Sequence, residues 1–458
     1  MTVLKKKNQK SSVTNDLTTG SVTGTLLRFA IPFFFSSAMQ ALYGAVDLFV
    51  VGRFTGTSAV SAVSIGSQLM MVFTSLILGL TVGVTVTVGR SIGEGNRENA
   101  AYAIGNAITV FACIAVIMIP FILIMRNTIL GILKTPAESY AEAKQYVTIC
   151  AFGIPFICAY NVGSSVFRGL GNSKMPLMFI SIACAVNIIG DIIFVRYLGM
   201  GAAGAATATV LAQGISSVSQ IIFFKIKGLG FPFGKAFLKL KAATVKFIFK
   251  VGAPIAVQEV LIGFAFMALT TVANARGVIA SASVGVVEKL MIFLFLVPTA
   301  ISSSMSAITS QNIGAGKPER ANKTVIIGMI IAFSFGAAIC LLSQIIPNAL
   351  CSIYAKDPLV INSAAQYLRS YSIDCALVGI TFCINGYLSG SDRSMIVFIH
   401  NVTAIFLVRI PAAYILSASN ANSLTPMGFS SPLGSLCSII IIVIYLIINH
   451  KRHPSKLI

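Results

Sequence analysis

Apolar stretches of about 20 residues recur along the whole chain, and they constrain its fold more than any other feature. As a helix, each stretch is long enough to cross roughly 30 Å of hydrocarbon. Only 10% of the residues are charged, whereas a soluble chain has about 25%. The pattern predicts an all-α polytopic membrane protein with twelve transmembrane helices, at residues 26–51, 59–88, 98–125, 141–160, 174–196, 202–224, 247–273, 281–308, 321–347, 361–387, 394–416 and 431–449.

The distribution of Lys and Arg predicts how the chain is oriented. The net charge is +20, and the basic residues cluster in both tails, in alternate loops and in the linker 225–246. By the positive-inside rule, this asymmetry places both termini in the cytoplasm and requires an even number of spans. It argues against nucleic acid as a partner and for contact between the linker and anionic lipid headgroups. Residues 1–25 and 450–458 are predicted to be cytoplasmic tails, the first of them disordered.

The chain contains an internal repeat. "LLRFAIPF" (26–33) matches "FKVGAPIA" (249–256), and "RSIGEGNRENA" (90–100) matches "SQNIGAGKPERA" (310–321), at an offset of 220–222 residues. This predicts two six-helix repeats of the same orientation, an N-lobe at 26–224 and a C-lobe at 247–449, which face each other across a cavity. The glycines of the second pair do not fit a P-loop, and they are interpreted as tight turns with positive φ.

Five acidic residues fall inside predicted spans: Asp47, Asp191, Glu259, Glu288 and Asp374. A carboxylate within a membrane is costly, so each one is a candidate functional residue. In the repeat alignment none of them has an acidic counterpart in the other half. The scaffold is therefore duplicated and the charges are not, which favours a chemical role over a packing role.

Asn187 and Asp191 lie one turn apart and share a helix face. An amide oxygen and a carboxylate suit Na⁺, or a proton with a neighbouring acceptor. A second carboxylate from another helix, Asp47, and a hydroxyl such as that of Thr209 would complete a cation-coupling site. Glu259 and Asp374 form a second candidate site, for a cation or for substrate.

The remaining intramembrane polar residues are interpreted mainly as structural. Arg369 and Arg409 lie toward the outer ends of their spans and are expected to snorkel outward. Glu288 and Lys289 are expected to pair with neighbouring spans. His400 and the nine scattered cysteines are interpreted as packing residues. Pro32 and Pro254 each predict either a static kink or a hinge.

Taken in order, "VDLFVVGRF", the two "IGxGxxE"-like turns, "FRGLGNSKMP" and the double six-helix layout resemble the multidrug and toxic compound extrusion (MATE) family. The resemblance covers residues 20–450. It implies a two-lobed fold whose cation site is built from an Asp in the first helix, an Asn and an Asp in the fifth and a Thr in the sixth. Those positions are occupied here by Asp47, Asn187, Asp191 and Thr209.

One branch of the family also uses a Glu in helix seven and an Asp in helix ten, which resemble Glu259 and Asp374. The chain departs from that branch one turn before Asp374, where it has Ser370 instead of Tyr. The resemblance therefore leaves open which lobe couples and whether the ion is Na⁺ or H⁺.

The resemblance also implies the function. We expect a monomeric secondary antiporter of the cytoplasmic membrane that exports organic, often cationic compounds in exchange for Na⁺ or H⁺ by alternating access. It would be no enzyme, and it would need no cofactor and no metal beyond possible Na⁺. A flippase of lipid-linked saccharides is the alternative, because Lys289, Arg369 and Arg409 could serve an anionic cargo. The two-lobed repeat disfavours a channel.

Overall fold

The computed structural model describes residues 13–420 and 423–452, and the regular structure of these residues is helical. The amino-terminal half contains six helices: α1 (Val22–Phe54), α2 (Thr57–Gly93), α3 (Arg97–Ile132), α4 (Ala137–Gly169), α5 (Lys174–Asp191) and α6 (Gly201–Lys227). The carboxyl-terminal half contains α7 (Ala242–Asn274), α8 (Val278–Leu294), α9 (Leu296–Gly314), α10 (Pro318–Ile345), α11 (Pro347–Ser352), α12 (Pro358–Tyr371), α13 (Ile373–Gly390), α14 (Ser394–Thr403), α15 (Ile410–Ser419), α16 (Thr425–Gly428) and α17 (Ser430–Arg452). A π-helical turn follows α5 at Ile192–Tyr197, and another follows α14 at Ala404–Arg409.

The described residues contain twelve membrane spans when α8 and α9 are counted as one. Eleven helical segments are long and apolar enough to cross a membrane alone, and α8 and α9 form a further span bent by 43°. The prediction of twelve transmembrane helices is therefore confirmed. The predicted span 361–387 is divided, because α12 ends at Tyr371 and α13 begins at Ile373.

Several helices begin at residues that satisfy their free backbone N–H groups. The side chain of Ser21 accepts a hydrogen bond from the Gly24 amide at the start of α1, and Asn96 accepts one from the Asn99 amide at the start of α3. At the start of α12, Asp357 accepts a hydrogen bond from the Leu359 amide. These side chains replace water at helix ends, so short polar loops are sufficient to separate the spans.

Four glycines from the repeated "IGxG" turns perform two different tasks. Gly95 and Gly316 adopt φ values of 70° and 69°, as predicted for tight turns. Gly93 and Gly314 instead end α2 and α9 in helical geometry, so the prediction is wrong for them. A Cβ on Gly93 would overlap the Gln311 carbonyl, and one on Gly314 would overlap the Arg90 carbonyl. These two glycines therefore let the two halves touch, backbone against backbone.

The two halves meet backbone against backbone at one end of the bundle, which we call the amino-terminal face. It comprises residues 13–20, the turn 169–173 and the ends of α2 and α9. Further along α2 toward its middle, Gly83 lies against the backbone of α7 at Ile248 and Gly79 lies against Ala256. The two halves thus pack through the portion of α2 nearest this face.

Residues 13–20 form a strap across the amino-terminal face, so the predicted disorder is wrong for the described part of the tail. The Asn15 amide donates to the Leu170 carbonyl of the amino-terminal half at 2.8 Å. The Leu17 amide donates to Gln311 Oε1 of the carboxyl-terminal half at 3.1 Å. Lys317, in the turn between α9 and α10, donates from its Nζ to the Thr18 carbonyl at 3.1 Å. The lysines at positions 5–10 of the predicted amino-terminal tail, and residues 453–458 of the predicted carboxyl-terminal tail, lie outside the described residues.

The linker 225–246 follows the first turns of α3. Asn106 accepts a hydrogen bond from the Lys241 amide at 2.7 Å and donates one to the Lys239 carbonyl at 3.0 Å. Thr109 donates to the Leu238 carbonyl at 2.9 Å. The Lys side chains of the linker are exposed, and the Lys241 ammonium lies over the Tyr102 ring, 3.1 Å from its centroid. Contact between the linker and lipid headgroups stays a prediction.

Candidate functional site

The four residues predicted for cation coupling come together where α1, α5 and α6 meet. Asp47 on α1 is 5% exposed, and Asn187 and Asp191 in the last two turns of α5 are fully buried. Thr209 on α6 donates its hydroxyl to Asp47 Oδ2 at 3.2 Å. The spacing of Asn187 and Asp191 along one helix face aims both side chains at α1. We call this group the amino-half cluster.

The amino-half cluster combines negative charge with polar atoms that have no partner. The Asp47 carboxyl interacts with the Asp191 carboxyl and with the Asn187 amide. Yet Asp47 Oδ1, both carboxyl oxygens of Asp191 and both polar amide atoms of Asn187 are buried without a hydrogen-bond partner. In the described part of the chain, the ion pairs are Arg90–Glu94 and Lys250–Asp392, so no Lys or Arg neutralises these carboxylates.

Buried polar atoms without partners are rare in proteins, because each one carries a desolvation cost. Two facing carboxylates also repel each other when both are ionised. A small cation or a proton removes both penalties at once. The oxygen donors of the amino-half cluster fit Na⁺ as well as a proton, since hard cations prefer oxygen ligands.

Tyr43 belongs to this site and was missed by the sequence reasoning. It lies one turn before Asp47 on α1, and its hydroxyl donates to the Thr209 carbonyl at 3.4 Å. The spacing of four residues was a usable signal, because residues i and i+4 share a helix face. Directly after Asp191, the helix widens into its π-helical turn at Ile192–Tyr197. Such turns often occur at functional sites.

In the carboxyl-terminal half, Asp374 is surrounded differently. It is 2% exposed and accepts a hydrogen bond from the Ser431 hydroxyl at 2.9 Å. The Arg409 guanidinium interacts electrostatically with Asp374 and with Glu288. It also donates to the Tyr371 hydroxyl at 2.9 Å. This group, which we call the carboxyl-half cluster, contains its own positive charge.

The carboxyl-half cluster corrects two predictions. Arg409 does not snorkel outward, because its guanidinium turns inward to Tyr371; Arg369 is exposed as predicted. Glu259 and Asp374 do not form a pair, since no hydrogen bond or charge interaction joins them among the described residues. Glu288 interacts with Arg409, whereas Lys289 is exposed.

Glu259 instead faces a cavity of about 280 Å³ between the two halves, which we call the central cavity. Helices α1, α2, α4, α7 and α9 supply most of its wall. Arg168, in the last turn of α4, also lines it. The rest of the lining is rich in hydroxyl and amide groups, among them Ser36, Ser37, Gln40, Asn161, Ser164 and Ser306. The predicted spans 141–160 and 174–196 leave Arg168 in the loop between them, so this part of the prediction is wrong: α4 continues to Gly169.

Most of the residues interpreted as packing residues are buried, whereas Cys113 is exposed. His400 is fully buried, and its Nδ1 lies 2.6 Å from the Ser438 hydroxyl. All nine cysteines are free thiols, and most are buried. Neither group contacts the amino-half cluster, apart from Cys150 and Cys184, which lie near Asp47.

Comparisons with known proteins agree with this architecture. The MatE family model matches residues 32–193 and again residues 254–415. Among curated relatives, the probable multidrug resistance protein YpnP of Bacillus subtilis (strain 168) is 27% identical over 403 residues, covering 88% of this chain and 90% of YpnP. The probable multidrug resistance protein YoeA of the same strain is 22% identical and covers 98% of this chain and 99% of its own length.

Solved structures share the fold. The outward-facing conformation of a multidrug resistance MATE family transporter superposes with a TM-score of 0.88 at 19% identity, covering 96% of this chain and 97% of that one. A MOP superfamily transporter from Pyrococcus furiosus Vc1 (DSM3638) superposes with a TM-score of 0.89 at 19% identity, covering 95% and 97%. The two-lobed fold with duplicated six-helix repeats is thus the architecture of this chain.

Proposed function

The chain belongs to the MatE family, and from that premise we propose that it is a secondary antiporter that exports organic compounds from the cell in exchange for Na⁺ or H⁺. The names of its curated relatives, which are multidrug resistance and multidrug export proteins, support organic compounds as cargo. We assign the coupling ion to the amino-half cluster and the cargo to the central cavity. The amino-terminal face is assigned to the cytoplasm, in line with the positive-inside rule.

One observation carries the assignment of the coupling site. Asp47 and Asp191 face each other in a buried site to which the described residues contribute no Lys or Arg side chain, and five of the site's polar atoms have no hydrogen-bond partner there. A cation that enters this site gains a full set of oxygen ligands and relieves the repulsion between the carboxylates. Its binding therefore favours whichever conformation holds these groups together, and this differential affinity is what antiport requires.

The carboxyl-half cluster is a poorer candidate for coupling, because Arg409 already supplies a cation there. The two matches to the family model begin and end 222 residues apart. The same offset places Ser431 opposite Thr209, and both hydroxyls donate to a carboxylate. It places Arg409 opposite Asn187. A fixed guanidinium thus stands where the amino-terminal half has a neutral amide, which supports coupling by the amino-terminal half alone.

A single cation per cycle is energetically sufficient for useful export. When the cargo carries no net charge, each exchange moves one net charge down the membrane potential, and this releases roughly 2.3 kcal/mol at 100 mV. At about 1.4 kcal/mol per tenfold change, this sustains roughly a fifty-fold gradient of cargo. One cluster of two carboxylates therefore meets the energetic requirement.

The flippase alternative receives less support. Of the three cations that favoured it, Lys289 and Arg369 are exposed, and Arg409 interacts with Asp374 and Glu288 within the carboxyl-half cluster. None of the three lines the central cavity. A lipid pyrophosphate would need several positive groups in that cavity, and Arg168 is the one cation among its lining residues.

The test is flux of a fluorescent organic cation into proteoliposomes, without ATP, under an imposed pH gradient and then under a Na⁺ gradient. We expect uptake to depend on one of these gradients and to be lost in Asp47→Asn and in Asp191→Asn, because each variant removes a negative charge from the amino-half cluster. The matched control is Asp374→Asn, which makes the same change at an equally buried carboxyl.

Three outcomes are distinguishable. Loss of gradient-driven flux in Asp47→Asn, with gradient dependence retained in Asp374→Asn, supports the proposal. Wild-type rates in Asp47→Asn would disprove the coupling site, and equal flux with and without either gradient would disprove antiport.

A further inference from the structure

Two opposite charges face the central cavity, and neither has an ionic partner within the described residues. Glu259 on α7 is half-buried and has neither a hydrogen bond nor a nearby opposite charge. Arg168 on α4 is also half-buried. Its guanidinium donates to the neighbouring Ser165 hydroxyl and lies over the Phe33 ring, 5.7 Å from the ring centroid. Both ion pairs of the described chain lie elsewhere.

The two charges do not neutralise each other. No hydrogen bond or ion pair joins Glu259 to Arg168 among the described residues. Along α2, Thr85 contacts α4 at Ser165, while Gly79 contacts α7 at Ala256. On α2, Gly79 and Thr85 are six residues apart, which corresponds to about 9 Å of helix rise. Arg168 and Glu259 both line the central cavity, so a small molecule in it has one charged group on each side of the seam between the halves.

Unpaired charges in a membrane-embedded cavity are expensive, and an opposite charge on a ligand offsets the cost of each. The guanidinium fork of Arg168 suits a carboxylate or a phosphate, which it can hold through two parallel hydrogen bonds. Glu259 suits an amine or another organic cation. The intervening wall, with Gln40, Asn161 and several hydroxyls, suits polar groups. The volume of about 280 Å³ equals roughly nine waters at 30 Å³ each, enough for a small organic molecule.

We propose that the cargo of the central cavity is a small amphoteric compound, whose anionic group binds Arg168 and whose cationic group binds Glu259. This proposal deepens the proposed function by naming the class of substrate, and it rests on the central cavity being the cargo site. It assigns to Arg168 the part of an anchor that distinguishes zwitterions from simple cations.

The test uses two dyes with one scaffold. Rhodamine 110 carries a free carboxylate beside its cationic ring system, and rhodamine 123 is its methyl ester, which keeps the cation alone. Equilibrium binding of each dye to the purified protein in nanodiscs is measured by fluorescence anisotropy at neutral pH. We expect the wild type to bind rhodamine 110 about ten- to a hundred-fold more tightly, the range of one hydrogen bond to a charged group.

Two variants at Arg168 test the assignment. In Arg168→Gln the preference should vanish, so that the two dissociation constants agree within about threefold. Arg168→Lys, which keeps the charge and loses the fork, should retain part of the preference. Glu259→Gln should weaken both dyes. A wild type without preference, or a preference that survives Arg168→Gln, would overturn the proposal. If Arg168→Gln does not fold, the partial preference of Arg168→Lys decides.

Binding needs no ion gradient, so its result is independent of antiport. Discrimination between the dyes without gradient-driven flux would refute the proposed function and keep the amphoteric site. Gradient-driven flux of both dyes at equal affinity would keep the antiporter and refute the amphoteric site.

Discussion

Replacement of Gly314 by Ala should open the amino-terminal face. Gly314 ends α9, and a Cβ at this position would lie against the Arg90 carbonyl, well inside the 3.0 Å that real Cβ atoms keep. The obstacle is backbone and cannot rotate away. Gly93 mirrors this contact against Gln311. Either substitution must therefore push the ends of α2 and α9 apart.

The size of the effect follows from packing. Inserting a methyl group into a closely packed contact typically costs about 1–3 kcal/mol. This cost applies only to the conformation in which the two halves touch here, because the contact is absent once they separate. The ratio of closed to open molecules should thus fall by about 5- to 150-fold. The expected shift does not depend on whether Pro32 and Pro254 form static kinks or hinges.

Distances between spin labels measure the change. Labels at Glu98 and Glu319, exposed positions in the first turns of α3 and α10, span the seam in a background without the nine native cysteines. We expect Gly314→Ala to shift the distribution to longer distances. The matched control is Gly285→Ala on α8, where an added Cβ meets nothing within 4 Å. An unchanged distribution in Gly314→Ala would refute the reasoning.

Three further predictions concern the strap and the carboxyl-half cluster. Gln311→Ala removes the acceptor of the Leu17 amide and the donor to the Gly169 carbonyl, so it should destabilise the strap by about 1–3 kcal/mol. Hydrogen exchange at residues 13–20 should become faster, and unchanged protection there would contradict the prediction. Arg409→Gln should lower the free energy of unfolding by about 1–3 kcal/mol, and adding Asp374→Asn to this variant should recover part of the loss. A double variant whose loss equals the sum of the two single losses would contradict the charge interaction between Arg409 and Asp374. Burial raises the pKa of Asp16, but hydrogen bonds from Thr18 and Thr19 outweigh it and hold the pKa below its usual 3.8. Because the pKa of Asp16 is lower in the folded than in the unfolded state, Asp16 should stabilise the strap above about pH 4 and stop doing so as the pH falls further. Hydrogen exchange at residues 13–20, corrected for intrinsic rates, should therefore slow when the pH is raised from 4 to 7. Faster corrected exchange over this range would contradict the prediction.

Much of the architecture was predictable because it depends on local pattern. Apolar runs of sufficient length must become membrane-spanning helices, since backbone polar groups have no other partner in lipid. The offset of about 222 residues was visible in short sequence matches between the two halves, and it predicted the duplicated fold. The amino-half cluster was also predictable, because intramembrane carboxylates are so few that Asp47 and Asp191 had to be placed. Their partners Asn187 and Thr209 came from helix spacing and from the resemblance to the MATE family.

The tertiary structure decided what depends on distances between helices far apart in sequence. Only packing shows that Arg409 turns inward to Tyr371, that Glu259 and Asp374 belong to different sites, and that Arg168 faces the central cavity. Side-chain direction on a long, all-round apolar helix leaves little periodic signal, so sequence cannot assign such a residue to lipid, core or cavity. The same reason explains Gly93 and Gly314: a glycine permits a turn or a close contact equally well, and its neighbour across the seam determines which one it makes.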